Sequence, residues 1–357
     1  MKLKLHFALL LLGLTACEPA ELPKSSDLVS VLFLGDTHFG ESYEIELEDR
    51  YSMDQFVGLF KMADLTIANL ETPLTTLTDS PYEGEKDYVH WSDPELATAA
   101  FEKYGFDAFS LGNNHAMDFG TEGLKETLDA LGGSGFEFFG AGQDQEEAAQ
   151  VFETAVPLPN GDSFELAVLG GYESVASYEA LDFYATDSQG GVNTITQQST
   201  LDSIRDIKVE NPEAFVVVFP HWGDNYKMKD PGQESWAHAF IDAGADLVIG
   251  QGAHLFQEVE EYERKTIVYG LGNFVFNAPG RYQKLDAAPY SVAAQLLVSA
   301  DSKSLRLYPI FSDNLVTDYE PRFVTEEEFE ELSEREDLKM LAADEDEIGF
   351  YFEIPLE

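Results

Sequence analysis

Acidic, amide and imidazole side chains follow a series of short apolar segments along this chain. In chain order they are Asp36, His38, Glu71, Asn114, His115, His221 and His254. Mixed carboxylate, amide and imidazole ligands suit borderline divalent metals such as manganese, iron or zinc. One such side chain alone would be an ordinary loop residue, but five segment ends that each supply one predict a metal site. A carboxylate between two metals can bridge them, which suits phosphoryl transfer.

The remaining polar candidates have more than one interpretation. His238 lies within a predicted helix and is interpreted as structural, and His90 precedes a helix cap with only composition to favour a place in a cleft. Asp118, three residues after His115, either orients that imidazole through its ring nitrogen or caps a helix. These side chains are therefore secondary candidates beside the strand-end group.

The elements that must position these side chains alternate between strand and helix. Predicted strands cover residues 28–34, 65–70, 106–111, 136–139, 213–219, 246–249 and 266–271. Predicted helices cover residues 53–62, 123–131 and 235–243, and a further helix starts at Asp93-Pro94 and ends at Gly105. The alternation predicts an α/β fold with a largely parallel sheet. Because ligands of such sheets bind beyond the carboxyl ends of the strands, the polar side chains should converge.

Turn residues add local detail to this arrangement. Asn160-Gly161 predicts a hairpin, and the glycine pair 132–133 predicts the end of a helix. Residues 172–200 are polar and irregular and are expected to form a loop over the site.

The tail of the chain has a different pattern. Residues 291–298 and 305–311 favour antiparallel strands, and Thr325 to Glu328 form a capping box that opens an acidic helix. We therefore divide the chain from residue 28 onward into a domain over residues 28–320 and an acidic extension over residues 321–357 that packs on it.

The N-terminus has the features of an export signal. Lys2 and Lys4 precede an apolar run over residues 7–14 that is too short to span a bilayer as a stable helix. Leu14-Thr15-Ala16-Cys17 resembles a bacterial lipobox, in which the cysteine is lipidated; an ordinary signal peptide is the alternative. Cys17 is the only cysteine, so no intrachain disulfide can form. We expect residues 1–17 to be a lipoprotein signal, residues 18–27 a tether, and the protein to be anchored to the bacterial membrane, facing the periplasm or the cell exterior.

Replacement of Cys17 by serine tests this anchoring. The variant should leave the membrane fraction or fail to mature, because serine cannot accept the lipid as the cysteine thiol does. Cell fractionation followed by immunoblotting measures the change. A wild-type protein that is already fully soluble after export would contradict the lipoprotein prediction.

The composition limits the partners of the chain. The 357 residues have a net charge of −46, which becomes −48 once residues 1–16, with two lysines and no acids, are removed. Such a surface repels nucleic acid and argues against a long docking surface for a polyanion. It still allows one anionic group of a small or polymeric substrate to enter a metal-lined pocket. A saline habitat and simple solubility both explain the acidity.

Several of these motifs together resemble one family. Asp36-Thr37-His38 is similar to the first signature of calcineurin-like metallophosphoesterases, and the block from Asn113 to Gly120 looks like that of the CapA (poly-γ-glutamate capsule synthesis) branch. Three further blocks agree with it: Asn69-Leu70-Glu71, His221-Trp222-Gly223 and Leu271-Gly272-Asn273-Phe274. The resemblance covers residues 29–277 and implies a four-layer sandwich, two mixed sheets flanked by helices, with metals on loops at one end.

The resemblance also implies roles for single residues. Asp36 and His38 match ligands of a first metal, and Glu71 stands at the bridging position. Asn114 and His221 match ligands of a second metal, and His254 matches the last histidine of the closing signature. His115 matches the histidine that protonates or stabilises the leaving group. Apart from the resemblance, three neighbours of these residues are candidates for substrate contacts: Asn113, Trp222 and Asn273. Trp222 alternatively packs beside His221, and Asn273 is alternatively a turn residue after a strand.

The chain departs from the family pattern at the closing signature. Gly252 stands where the family usually has a histidine, so we expect one tight ion and a weakened second site. Gln251 or water would have to replace the missing ligand, and Gly252→His should tighten the second ion. Asp224 would similarly have to replace a family glutamate.

Two functions remain: a metal-dependent hydrolase of a phosphoester or envelope polymer, and a non-catalytic accessory of capsule synthesis or attachment. Metal-free acid–base chemistry on a peptide ranks below both.

Overall fold

The computed structural model describes residues 28–38 and 52–357. The lipobox with Cys17 and the tether lie outside the described residues, so both stay predictions. None of the helices in the described part is both long and apolar enough to cross a membrane.

Ten strands form the larger sheet, and their order follows β17-β18-β15-β14-β1-β2-β3-β4, with β13 beside β1 and β16 beside β15. Their bounds are β1 (Val29–Thr37), β2 (Leu65–Leu70), β3 (Ala108–Ser110), β4 (Glu137–Phe139), β13 (Asn273–Val275), β14 (Tyr290–Val298), β15 (Lys303–Phe311), β16 (Arg322–Phe323), β17 (Ala342–Glu345) and β18 (Phe350–Leu356). The strands β1 to β4 run parallel, whereas β14, β15, β17 and β18 pair antiparallel.

Six strands form the second sheet in the order β11-β12-β10-β9-β7-β6. They are β6 (Phe152–Pro157), β7 (Ser163–Tyr172), β9 (Phe215–His221), β10 (Leu247–Ile249), β11 (Val259–Tyr262) and β12 (Lys265–Val268). The four central strands are parallel, and β6 and β11 pair antiparallel at the two edges. The hairpin predicted at Asn160-Gly161 is confirmed as the turn between β6 and β7. A separate two-stranded ribbon pairs β5 (Ala141–Gly142) with β8 (Gly191–Val192).

Ten α-helices and one turn of 3₁₀-helix, Asp54–Phe56, occur in the described residues. The helices are α1 (Val57–Met62), α2 (Pro94–Tyr104), α3 (Gly120–Ser134), α4 (Gln145–Ala148), α5 (Ala176–Glu179), α6 (Gln198–Glu210), α7 (Pro231–Ala243), α8 (Arg281–Leu285), α9 (Asn314–Thr317) and α10 (Glu326–Ser333).

Alternating side chains show how the layers stack. In β1, Val31 and Phe33 belong to a core shared by both sheets, whereas Leu32 and Leu34 pack with α1, α2 and α3. In β9 the same alternation separates the shared core from a cluster that packs α6 and α7. Successive strand residues point to opposite faces, so each sheet has one face on the other sheet and one on helices. The predicted four-layer α/β sandwich is confirmed.

Helix ends were predicted well where a left-handed residue follows. The carboxylate of Asp93 accepts bonds from the first turn of α2, and Gly105 ends that helix at φ 84°. The predicted stop at Gly132 is wrong, because α3 continues to the left-handed Gly135. A glycine inside a helix costs only about 1 kcal/mol relative to alanine, which tertiary packing offsets.

The segment 321–357 is part of the larger sheet. Thr325 and Glu328 form the capping box of α10, and Phe329 and Leu332 of that helix enter the shared core. The strand β18 then pairs with β15, and β17 forms the sheet edge beyond it.

Candidate metal centre

Both sheets contribute to one buried group at the carboxyl ends of their central strands. Asp36 lies in β1, Glu71 directly follows β2, and His254 lies beyond β10. Each of the three offers a ligand atom, and these atoms lie within 4.8 Å of one another. Asp36 and Glu71 are fully buried, and His254 is 5% exposed. The predicted convergence of strand ends is thus what the structure shows.

Close backbone packing brings these strand ends together. The strand β13 joins β1 at a bulge, where the amide of Asp36 donates to the oxygen of Gly272 at 2.9 Å. A side chain at Gly35 would meet that same oxygen, since a Cβ there would lie 1.9 Å from it. Glycine at position 35 therefore allows Asp36 to reach the centre from within a strand.

His221, the last residue of β9, lies beside this group. Its Nε2 is 3.7 Å from Oε1 of Glu71, and its Nδ1 is 3.9 Å from Oδ1 of Asp36. Asn69 lies between the two, since its Nδ2 donates to Asp36 at 2.9 Å and lies 3.2 Å from His221 Nδ1. Burial lowers the pKa of His221 to about 4, which leaves a neutral imidazole. A neutral imidazole is the form that binds metals.

The carboxylates fit a cation. Neither oxygen of Glu71 has a hydrogen-bond partner in the described chain, and the same holds for Oδ2 of Asp36, although His254 Nδ1 lies 3.0 Å from it. Burial and the neighbouring Asp36 raise the pKa of Glu71 well above its usual value. An unpaired buried carboxylate is costly unless it is protonated or bound to a metal. Two carboxylates with imidazoles suit manganese, iron or zinc, as predicted.

His38 and Asn114 are two further predicted ligands of this site. His38 is fully buried, lies outside the 4.8 Å cluster and packs its ring on that of His90, 4.4 Å between centroids. Neither ring nitrogen of His38 has a hydrogen-bond partner in the described residues, so both stay free to bind a ligand. Burial lowers the pKa of His38 to about 4. Asn114 Oδ1 is buried and accepts no hydrogen bond from the described chain, so it remains free to bind a ligand. The structure thus favours Asp36, Glu71 and His254 as the first ligands.

A second network surrounds His115. Its Nδ1 lies 2.7 Å from Oδ2 of Asp118, and its Nε2 lies 3.9 Å from Oε1 of Glu71. Lys86 forms an ion pair with Oδ1 of Asp118 and donates to the backbone oxygen of Asn114 at 2.6 Å. Asp118 is thus the partner of His115 and caps no helix, since the cap of α3 is Phe119 without a side-chain bond.

Residues 30–278 match the family described as "Bacterial capsule synthesis protein PGA_cap". This match covers well over half of the 357 residues. The chain belongs to the PGA_cap family. The family predicted from the strand-end motifs is therefore confirmed.

Curated relatives of this PGA_cap protein carry related names. One is "Capsule biosynthesis protein CapA" of Bacillus anthracis, 29% identical over 262 residues, or 71% of this chain and 61% of that protein. Another is "Probable polyglutamine synthesis accessory protein Rv0574c" of Mycobacterium tuberculosis, 29% identical over 225 residues, or 61% of this chain and 57% of that one. The matches thus span about three fifths of the relatives' length. Among solved structures, the calcineurin-like phosphoesterase YfkN from Bacillus subtilis aligns with a TM-score of 0.44 and 14% identity, over 84% of this chain and 88% of that one.

Gly252 shows how this PGA_cap chain departs from its expected closing signature. The residue has φ +98°, its amide donates to Asp36 Oδ1 at 3.2 Å, and an added Cβ would lie 2.8 Å from the ring of His221. A histidine at position 252 would have to displace the ring of His221 and adopt a left-handed backbone. The tightening of a second ion by Gly252→His thus stays a prediction that this geometry opposes. Gln251 is buried beside it, and its Oε1 has no hydrogen-bond partner in the described residues. Asp224 is exposed and pairs with Lys227 instead of entering the site.

Three expected substrate contacts have structural places instead. Asn113 is fully buried, donates to Asn69 and Leu70, and accepts from two backbone amides of its own loop. Trp222 donates to the backbone oxygen of Tyr269 at 2.8 Å and packs in the cluster between the second sheet and the helices α6 and α7. Asn273 contacts His254 Nδ1 at 2.9 Å and so positions a ligand.

Sequence reasoning missed Lys86 and gave His90 no role. Lys86 lies in a charged segment that reads as a solvated loop, yet 5% of its side chain is exposed. The ring of His90 lies between those of His38 and His115, at 4.4 and 4.0 Å. Only the tertiary fold brings this loop to the site. Residues 172–200, expected over the site, do reach it: the Tyr178 ring lies 5.3 Å from Lys86 Nζ.

Proposed function

We propose that this PGA_cap protein is a metal-dependent hydrolase that acts on a phosphoester or a related anionic polymer of the cell envelope. The observation that carries the proposal is Glu71, a fully buried carboxylate with neither oxygen hydrogen-bonded within the described residues. With Asp36 and His254 it forms a ligand set for a divalent cation, and the imidazoles of His221 and His115 lie within 4 Å of its Oε1. The acidic surface of the chain admits an anionic group only where such a cation offsets it.

The residues divide into metal-holding and proton-handling groups. Asp36, Glu71 and His254 would hold one ion tightly, with His221 beside them. A bound divalent cation would supply Lewis-acid polarisation of a phosphoryl oxygen. Asp118 accepts a hydrogen bond from Nδ1–H of His115 and so directs Nε2 toward Glu71. Once Nε2 has taken up a proton from solvent, it would pass that proton to a leaving oxygen and return to the neutral form.

The ion pair between Lys86 and Asp118 fixes this orientation. Both side chains are almost completely buried, so the pair is poorly screened by solvent. The backbone amide of His90 also donates to Asp118, at 2.6 Å. We infer that the carboxylate stays in place during a reaction while His115 exchanges protons.

An accessory role in capsule synthesis is the second candidate. Gly252 favours it, because this position lacks the imidazole that would complete a second metal site. Rv0574c is itself named a probable accessory protein. We also propose that the protein is exported and lipid-anchored through Cys17, with the lipobox pattern as support.

Metal stoichiometry tests the proposal. After mild dialysis, the purified protein should retain about one equivalent of a divalent metal, because only one ligand set is complete, and structural ions of this kind are released slowly. Elemental analysis gives the number, and hydrolysis of bis(p-nitrophenyl) phosphate with added manganese gives the activity. Two retained equivalents would mean that His221, Asn114 and Gln251 complete a second site. No retained metal and no activity with any divalent ion would favour the accessory role.

A further inference from the structure

Few cations of this acidic chain lack a carboxylate partner. Most lysines and arginines of the described residues form an ion pair. Four cations have no such pair with a described carboxylate: Lys61, Arg281, Lys284 and Lys303. In a chain with 67 acids and 21 lysines and arginines, a partly buried arginine without a carboxylate partner is unusual. Arg281 is the one whose neighbour in sequence, Tyr282, contacts the backbone oxygen of His254.

Arg281 is held by an aromatic ring instead of an anion. Its guanidinium carbon lies 4.8 Å from the ring centroid of Tyr88, a side chain that is 49% exposed. A guanidinium attracted to a ring face is fixed in place, and its N–H groups stay available to a further acceptor. In the described part of the chain, none of these N–H groups donates to a protein acceptor. The pair therefore presents an ordered fork of donors, which matches a carboxylate or phosphate.

Arg281 and Tyr88 each lie on a loop that contacts residues of the candidate metal centre. The next residue, Tyr282, donates from its hydroxyl to the oxygen of His254 at 2.9 Å and accepts from Asn273 at 3.0 Å. Tyr88 precedes His90 by two residues, in the loop that brings His90 against His115. Arg281 and Tyr88 thus lie at the rim where these two loops meet.

The two loops that carry Arg281 and Tyr88 also meet at Phe276. The ring of Phe276 lies 5.7 Å from that of His90 and 4.7 Å from that of His254. Arg281 follows Phe276 by five residues. Arg281 is therefore a cation on a loop that contacts a ligand residue, in a protein that is otherwise strongly negative.

We propose that Arg281, stacked on Tyr88, binds a second oxyanion of the substrate, next to the group that the metal centre attacks. The role of this subsite in catalysis rests on the proposed hydrolase function, whereas its ability to bind an oxyanion does not. It would select substrates in which an anionic group is repeated along the molecule, as in a phosphodiester polymer or a chain of carboxylates. Phosphate and carboxylate groups both present a pair of oxygens that a guanidinium binds in bidentate fashion.

Direct binding tests the subsite without any turnover. Inorganic phosphate and glutarate are titrated by calorimetry at low salt into the metal-loaded wild type, Arg281→Gln and Lys284→Gln. We expect Arg281→Gln to lose about tenfold in affinity for at least one probe, since a charge-assisted bidentate contact is lost. Lys284→Gln, which removes the same charge three residues further on, should stay within about twofold because its effect is only long-range. Loss for phosphate alone indicates a phosphate subsite, and loss for glutarate alone a carboxylate subsite.

The ring has its own pair of variants. Tyr88→Phe keeps the stacking and should bind as wild type does, whereas Tyr88→Leu should weaken binding a few-fold, since the cation–π contact is lost. The proposal is overturned if the wild type binds neither probe, if Arg281→Gln binds both as the wild type does, or if Lys284→Gln weakens binding as much. A wild type that binds the probes but hydrolyses no substrate would instead contradict the hydrolase function and still support the subsite.

Discussion

Asp36→Ala should remove the tight ion and the hydrolytic activity together. Asp36 is fully buried, its Oδ1 accepts from Asn69 and Gly252, and its Oδ2 lies 3.0 Å from His254 Nδ1. Loss of this carboxylate leaves one carboxylate for the ion. Because a catalytic metal contributes several kcal/mol to the transition state, turnover should fall by about 10³-fold or more. Elemental analysis and phosphodiester hydrolysis of the same sample measure both effects.

Asp107→Ala is the matched control for this variant. Asp107 accepts from the amide of Thr66 at 2.7 Å at the opposite end of the same parallel strands. Its removal should therefore change stability without changing metal content. If Asp36→Ala retains a full equivalent of metal, the ion is bound elsewhere and the proposed ligand set is incorrect.

His115→Ala should lower turnover by a factor of about 10²–10⁴ on a substrate with a poor leaving group, the usual contribution of general acid catalysis. Metal content should stay unchanged, because Asp36, Glu71 and His254 remain. On an activated leaving group such as nitrophenolate the loss should be smaller, since that group needs less protonation. Burial lowers the pKa of His115 well below its usual value, so the neutral ring has to take up a proton before it can donate one.

His238→Ala controls for the loss of an imidazole as such. His238 lies on α7, and its Nε2 contacts Glu260 at 2.7 Å, away from the metal centre. Activity and metal content should both persist in that variant. An equal loss on good and poor leaving groups in His115→Ala would assign His115 to positioning, and a loss of metal would make it a ligand.

The layers of the fold were predictable because their signals are local. Strand β2 has the predicted bounds, and both ends of α2 depend on residues within one turn, the carboxylate of Asp93 and the left-handed backbone of Gly105. Strand ends were less certain: β1 continues through Asp36 to Thr37, beyond the predicted end at residue 34. Its last residues continue in the sheet because β13, distant in sequence, pairs with them.

The site residues also differ in whether a local sequence signal marks them. A family pattern pointed to Asp36, Glu71 and His254 because such residues occur at or just beyond strand ends in a fixed order. Lys86 could not be predicted, since a lysine in an acidic loop is solvated by default and only a buried Asp118 reverses that. The close approach of a side chain added at position 252 to the ring of His221 depends on a tertiary distance that the sequence does not reveal.

The metal centre joins the two sheets as well as the reacting groups. Asp36 lies in the larger sheet and Glu71 just beyond it, whereas His221 ends a strand of the smaller sheet and His254 lies beyond another. An ion that binds only the folded chain stabilises it by about 2.7 kcal/mol when its concentration is a hundred times its dissociation constant. If the proposed ion binds here, metal supply and folding are therefore thermodynamically linked. In a metal-poor environment the protein would lose resistance to unfolding and proteolysis at the same time as its chemistry.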